Sequence, residues 1–574
     1  MNADNRNLIA AIALSMLILI VYQIYFVPPE QPQQNVASPE ETLAPAVAGS
    51  GSASGLAETT ETTQVTAPRA DITAAALGGS LSLAGGRLDD LRLLQYGEVN
   101  ADDPERVHLL RRTGGPDSYF AEVLFLDPNG QRMVAKDALW QASGTVLSTG
   151  QPLTLTHRRD DGMTFTLTYS IDDAYLISIA AEAFNASGAA VDIRYFARIR
   201  RNLPSISDFF ISYEGPIGVF AEDEKTEIDY DEIQELGAAG ETYTADAVKG
   251  WVGITDKYWL TAFVPDHLDG QADDLSFGFR RPSGAGEPAQ VDASTTPVSL
   301  ADGQRLSRVF HLYAGPKKIN VLLGYNDILG AERLDHAIDW GWFPFLTKPF
   351  FHGLNWFYGI LGNFGLAILA LTVVVKLAFF PLANRSYHSM AKMRELAPRI
   401  QELRDRFPDD KQRLQQEMMQ LYRAEKVNPA AGCLPILLQI PVFFALYKVL
   451  FVTIEMRHAP FYGWVEDLSA LDPTSILNIF GLLPYSTAWA PDFLNLGVWP
   501  ILMGITMYVQ MSLNPPPPDP IQAKVFKFMP LMFTFLLATF PAGLVIYWTW
   551  NNLLSIIQQM YIMQSVKKAS AKKA

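Results

Sequence analysis

Six apolar stretches, set apart by polar ones, restrict what this chain can fold into more than any other feature. They cover residues 8–27, 363–381, 433–454, 496–513, 525–540 and 543–563. Twenty such residues wound as a helix cover the roughly 30 Å hydrocarbon layer of a bilayer and satisfy their own backbone within it. The first stretch holds only Ser15, Tyr22, Gln23 and Tyr25 as mild polar interruptions. A cleaved signal peptide would be shorter and would end in a small-x-small site. Here an aromatic run from Tyr22 to Phe26 and then Pro28-Pro29 follow, so residues 1–27 read as a retained transmembrane anchor. The last three stretches are short or edged by proline, and residues 540–543 leave room only for a tight turn.

Between the first and second stretches the chain changes character twice. Residues 28–70 are rich in Pro, Gln, Ala, Ser, Thr and Glu, cannot bury enough to order themselves, and read as a flexible linker. Residues 71–335 carry a period of two. In 153–157 and 163–169 threonines alternate with apolar residues on either side of a turn ending in Asp161-Gly162, the pattern of a β-hairpin. Residues 191–199 alternate likewise, and Pro, Gly and Asp punctuate short strands throughout. This predicts one large all-β sandwich domain. It is acidic: residues 55–340 hold 43 Asp and Glu against 24 Lys and Arg, while the whole chain has a net charge of −15. That balance repels a phosphate backbone and argues against direct nucleic-acid binding.

Residues 336–361 crowd Trp340, Trp342, Phe343, Phe345, Phe350, Phe351, Trp356, Phe357 and Tyr358 into one segment. Aromatic rings at that density suit the headgroup layer, which points to an interfacial helix on the outer surface. The other reading is the beginning of the next membrane helix. The loop 384–428 carries ten Lys and Arg, the loop 455–495 only Arg457, and the tail 566–574 four lysines. The positive-inside bias puts loop 384–428 and the C-terminus in the cytoplasm, and six spans then put the N-terminus there and the β domain outside. Within 455–495, residues 474–483 read as a surface helix too short to span. Loop 384–428 reads as a helical hairpin, 386–406 and 411–425, broken at Phe407-Pro408-Asp409-Asp410, with Asp409 or Asp410 as N-cap. Met390, Met393, Met418 and Met419 give it an adaptable apolar side for substrate, or else pack its two helices together.

Lys376 is the most informative residue, a charge inside the apolar stretch 363–381. It either faces a wet interior, where an intramembrane charge marks function, or stretches toward the cytoplasmic headgroups. Thr372 lies one turn earlier on the same face. Gln439, Thr506, Gln510, Asn551, Asn552, Ser555, Gln558 and Gln559 add polar groups at membrane depth, which suit a shared wet surface and in part hydrogen bonds between helices. No enzyme signature is present: no H-E-x-x-H, no phosphate loop, no G-x-S-x-G, and no histidine pair at metal spacing. The single cysteine, Cys433, excludes an internal disulfide.

The stretches 375–398 (VKLAFFPLANRSYHSMAKMRELAP), 414–446 (LQQEMMQLYRAEKVNPAAGCLPILLQIPVFFAL) and 540–559 (FPAGLVIYWTWNNLLSIIQQ) resemble the YidC/Oxa/Alb membrane insertase family. The opening anchor, β domain and aromatic helix resemble the Gram-negative form of that family. The resemblance implies an α-helical polytopic membrane protein, with six transmembrane helices and a five-helix insertase core in 362–565, plus a periplasmic β-sandwich. It implies a hydrophilic groove open to cytoplasm and lipid, lined by Lys376, Thr372, Gln439, Gln510, Tyr547, Trp548 and Asn551. Trp548 matches the position where the family carries a groove tyrosine, and Tyr547 stands beside it. Lys376 matches a position where many relatives carry arginine. The implied partners are nascent inner-membrane proteins, the Sec translocon, the ribosome and membrane lipids; no cofactor or metal is implied. Two rival classes make different demands. A transporter calls for inverted repeats or broken helices in matching halves, which the sequence lacks. An envelope carbohydrate enzyme would depend on residues 72–320.

Overall fold

The computed structural model describes residues 67–571, apart from 102–103, 203–212, 221–224, 237–239, 245–249, 266–274, 282–287, 428–433, 515–519 and the positions 332, 342, 409, 426, 488, 492 and 493. The expected anchor 1–27, nearly all of the linker 28–70, Cys433 and the last residues of the tail lie outside them.

The hairpin forms as its pattern predicts. The strand Met163–Ile171 buries Met163, Phe165, Leu167, Tyr169 and Ile171 on one face, and it pairs antiparallel with Leu153–Arg158. Gly162 turns the chain at φ 93°, where an added Cβ would sit 2.4 Å from the Ala186 carbonyl oxygen, so only glycine fits. The strands assemble into two sheets, of eleven and nine among the described residues. Val191–Arg201 is central in the larger sheet, between Tyr119–Leu126 and Ala289–Thr295. Arg305–Pro316 is central in the smaller, between Leu176–Asn185 and Trp259–Val264. The sheets face each other through large side chains: Phe125 of the larger meets Phe165 of the smaller at 4.8 Å between ring centroids. This is the expected sandwich.

Alternation in the central strand has a second use. Tyr195, Ala197 and Ile199 enter the core, while Arg194, Arg198 and Arg200 are buried on the opposite face. Arg198 and Arg132 reach the Glu122 carboxylate at 2.6 and 2.9 Å, with Arg87 at 3.4 Å. Burial alone would raise the Glu122 carboxyl, but the three guanidinium charges hold it well below the usual carboxylate range.

Eleven helices complete the described chain: α1 (Tyr230–Leu236), α2 (Ile319–Leu329), α3 (Pro344–Leu361), α4 (Phe364–Ala378), α5 (Phe380–Glu395), α6 (Ala397–Arg406), α7 (Lys411–Ala424), α8 (Leu434–Val452), α9 (Val498–Leu513), α10 (Pro520–Leu537) and α11 (Ala542–Ala571). The aromatic helix α3 is separate from α4. Gly362 ends it in the left-handed region at φ 65°, and the Asn363 side chain then accepts the Leu366 amide to start α4. Helix α3 therefore does not run on into α4. At Phe379 the chain bends by 68° between α4 and α5. Pro381 has no amide hydrogen to continue the ladder.

Among the described residues no single helix is long and apolar enough to cross a membrane, whereas α4 and α5 pass together as a bent pair. Length is part of the reason: the 16 residues of α9 cover about 24 Å, short of the roughly 30 Å hydrocarbon layer. The first arm of hairpin 384–428 is two helices, α5 and α6, because Pro398 interrupts it at the second residue of α6. Asp410 caps α7, accepting the Arg413 amide at 2.9 Å. Residues 474–483 are not the surface helix expected. Only Ile476–Asn478 form one tight turn, after which Ile479 and Phe480 take left-handed φ of 52° and 56° and reverse the chain.

The two halves touch directly. Lys448 of α8 reaches Asp339 at 2.5 Å, and Lys257 of the β domain lies 3.5 Å from the centre of the Phe451 ring. Arg457 donates to the Glu98 carbonyl at 3.0 Å and covers the Trp259 ring. Part of loop 455–495 is therefore an interface with the β domain.

Candidate functional site: a polar cavity in the helical half

Four helices converge on Lys376. Its ammonium group, at the last turn of α4, donates to the Ser555 hydroxyl of α11 at 2.8 Å. Tyr387 of α5 shares Ser555 as a partner, and the Trp550 indole of α11 donates to the Leu369 carbonyl of α4 at 3.2 Å, stitching the two helices together. A small cavity opens here, lined by Lys376, Phe379, Leu382, Tyr387, Gln439, Val442 and Gln558 among others. Gln439 of α8 donates to the Tyr547 hydroxyl at 2.8 Å. The Gln558 amide nitrogen is buried there with no hydrogen-bond partner among the described residues.

The chemistry follows from that inventory. Among the described residues no carboxylate lies within ion-pair distance of Lys376, whose hydrogen-bond partner is the neutral Ser555 hydroxyl. An ammonium group in low dielectric without a counter-charge attracts water, carbonyl oxygens or a carboxylate. The Gln558 amide adds an unsatisfied donor beside it. Such a cavity receives acceptor groups.

The residues expected from the sequence are distributed unevenly. Lys376 and Gln439 line the cavity, and Tyr547 is tied to it through Gln439. Thr372 is buried one turn away, its hydroxyl donating to the Ile368 carbonyl at 2.6 Å. Asn551 is buried on α11, and Gln510 is half-buried on α9; neither is among the cavity's lining residues. The Trp548 ring packs instead between Phe443 and Phe533, at 4.5 and 5.9 Å. Of the adjacent pair Tyr547 and Trp548, it is Tyr547 that bonds a cavity-lining residue, Gln439. Met390 packs with Tyr387 against Ile562 of α11, Met393 and Met418 pack within the hairpin, and Met419 is exposed.

Sequence reasoning passed over Tyr387, and it counted Ser555 and Gln558 only as polar residues at depth. It also missed Lys448, although the signal that exposed Lys376, a charge within an apolar run, applies equally to it.

A β-sandwich is joined to a helical half that holds a basic cavity among its apolar helices, the arrangement expected of the insertase class. Comparison with known families narrows this. Residues 356–570 match the family described as 60Kd inner membrane protein, and residues 69–352 match the YidC periplasmic domain. The membrane protein insertase YidC of Methylobacterium radiotolerans is 44% identical over 98% of this chain and 95% of its own length. That of Nitrobacter hamburgensis is also 44% identical, and that of Granulibacter bethesdensis is 43% identical over 98% of both chains. The chain belongs to the YidC family of membrane protein insertases. Membership makes it an insertase rather than an enzyme. Among solved structures, an active YidC insertase with its first transmembrane domain resolved aligns with 85% of this chain and 92% of its own, at 18% identity and a TM-score of 0.37. A galactose mutarotase related enzyme from Lactobacillus acidophilus aligns with 43% of this chain and 97% of its own, at 12% identity and a TM-score of 0.32.

Proposed function

We infer that this chain inserts, folds and helps assemble proteins of the bacterial inner membrane through a hydrophilic groove around Lys376, open to the cytoplasm and to lipid. The observation that carries this reading is the Lys376 ammonium group in a polar cavity, bonded to Ser555 and facing no carboxylate among the described residues. Six spans, with both termini in the cytoplasm and the β domain in the periplasm, follow from the basic loop 384–428 and the nearly uncharged loop 455–495.

The incoming client first meets the cytoplasmic hairpin, where Met419 is exposed. Its polar, often acidic, external segment enters the groove, and lodging beside Lys376 lowers the cost of carrying polar groups part of the way through the bilayer. Its apolar helix meanwhile passes along α8 and α10 into lipid, driven by hydrophobic transfer. Exposed apolar residues line that route: Ile440 and Phe444 on α8, and Val525, Phe528, Leu531 and Leu536 on α10. The Sec translocon, the ribosome and membrane lipids complete the proposed partners.

The test compares insertion of a single-span client with an acidic external segment by the native protein, Lys376→Arg and Lys376→Glu. Lys376→Glu is expected to lose about tenfold or more, as removal of roughly 1.4 kcal/mol would give, while Lys376→Arg retains function. Undiminished insertion by Lys376→Glu would sink the charge role.

A further inference from the structure

The tip of the external loop, residues 474–491, has no role in the insertion pathway just described. Residues 473–491 contain no Asp, Glu, Lys, Arg or His. Here the chain turns its large apolar side chains outward: Leu482 is 80% exposed and Trp489 74%, with Ile476, Ile479 and Tyr485 each near half. This is order, not looseness. The Phe480 amide donates to the Ser475 carbonyl at 2.7 Å, Leu483 to Asn478 at 3.0 Å, and the Tyr485 hydroxyl to the Leu477 carbonyl. The Asn495 side chain holds the Thr487 and Ala490 carbonyls. Left-handed φ at a β-branched isoleucine and the following phenylalanine is strained backbone, and strain of this kind persists only where surrounding structure enforces it.

The base of this loop fixes its height. The Thr474 hydroxyl accepts the Val498 amide and the Asp472 carboxylate accepts the Trp499 amide, so the loop caps the first turn of α9. Its apolar tip is thereby held at the outer end of a helix whose Leu502, Ile505 and Tyr508 are themselves exposed.

We propose that this loop tip is a monotopic anchor that seats Leu482, Trp489, Tyr485 and Ile479 in the outer leaflet of the membrane around α9. An uncharged apolar surface mixing aliphatic, Trp and Tyr side chains, with much of its backbone already bonded internally, meets what the headgroup and upper acyl region demands. The proposal rests on the topology inferred above, which puts this loop on the periplasmic side.

The test uses the full chain in phosphatidylethanolamine and phosphatidylglycerol vesicles. With Cys433→Ser as background, Leu482→Cys, Trp489→Cys or Ile505→Cys carries an environment-sensitive fluorophore, with Gly303→Cys in a β-domain turn as aqueous reference. Positions 482 and 489 are expected to show blue-shifted emission and loss of fluorescence to shallow nitroxide lipids, with little loss to aqueous iodide. Position 505 should be quenched by deeper nitroxides and position 303 by iodide. Iodide quenching at 482 and 489 overturns the proposal, and so does blue-shifted emission that no lipid quencher reaches, which would mean a protein covering. Failure of position 505 to meet lipid would instead overturn the membrane placement of α9.

Discussion

Lys317 shows how a single buried charge leaves a measurable trace. It is fully buried in the β domain, donates to the Thr255 hydroxyl at 3.0 Å, and has its pKa pushed down to about 8 by burial, against the pull of Asp256, Asp339 and Glu214. Between about pH 8 and the unfolded value of 10.5 the unfolded chain binds the extra proton, so stability rises with pH in that window. The melting temperature of the intact protein is expected to gain from this group between pH 8 and 10, and Lys317→Met should flatten the gain, leaving the part due to Lys257, also lowered to about 8. Asp339 also makes stability rise with pH, but in the acid range. Burial would raise its carboxyl, but Lys448 and the amides of Tyr213 and Gly341 outweigh burial and leave it lowered. Its contribution is present above the unfolded carboxylate range and is lost as pH falls through the depressed value. Asp339→Asn should therefore lower the melting temperature at pH 7 and make it less sensitive to pH below about 4. An equal acid sensitivity in native and variant protein would show that the pair carries no such linkage.

At the scale of elements, the contact between α9 and α10 depends on a missing side chain. A Cβ at Gly504 would lie 2.0 Å from the Thr534 hydroxyl oxygen, and Thr534 is buried with that hydroxyl bonded to the Pro530 carbonyl. Small residues let helices approach where lipid gives no hydrophobic drive. Gly504→Ala is expected to destabilise the helix pair by roughly 1–3 kcal/mol, read as a lower melting temperature in detergent, and Thr534→Ala should recover part of the loss. No recovery in the double variant would place the strain elsewhere. The sequence supplied these elements but not their pairing. Hydropathy located the segment 496–513 and the caps located α7, yet nothing near Gly504 pointed to Thr534, because their contact is set by two helices thirty residues apart.

For the whole molecule, the β domain and the helical half are joined by charge and ring contacts: Lys448 with Asp339, Lys257 over Phe451, and Arg457 over Trp259. Exchanging Lys257 and Arg457 for alanine should loosen that junction, seen as faster hydrogen exchange in residues 453–469, with insertion largely kept. Deleting residues 72–320 should leave much insertion activity, and its complete loss in a depleted strain would move the essential work into the β domain. By itself the sequence determined the β-sandwich with its period-two strands, the helical character of the C-terminal region and the oddity of Lys376, because periodicity, charge bias and the cost of a charge in hydrocarbon are local properties. The tertiary structure decided the rest. It gave Lys376 the Ser555 hydroxyl as partner, tied Tyr547 rather than Trp548 to the cavity through Gln439, used Met390 in packing and paired Lys448 with Asp339. Each of these depends on which faces of distant segments meet, and the chain's pattern encodes that a face is buried without encoding against what.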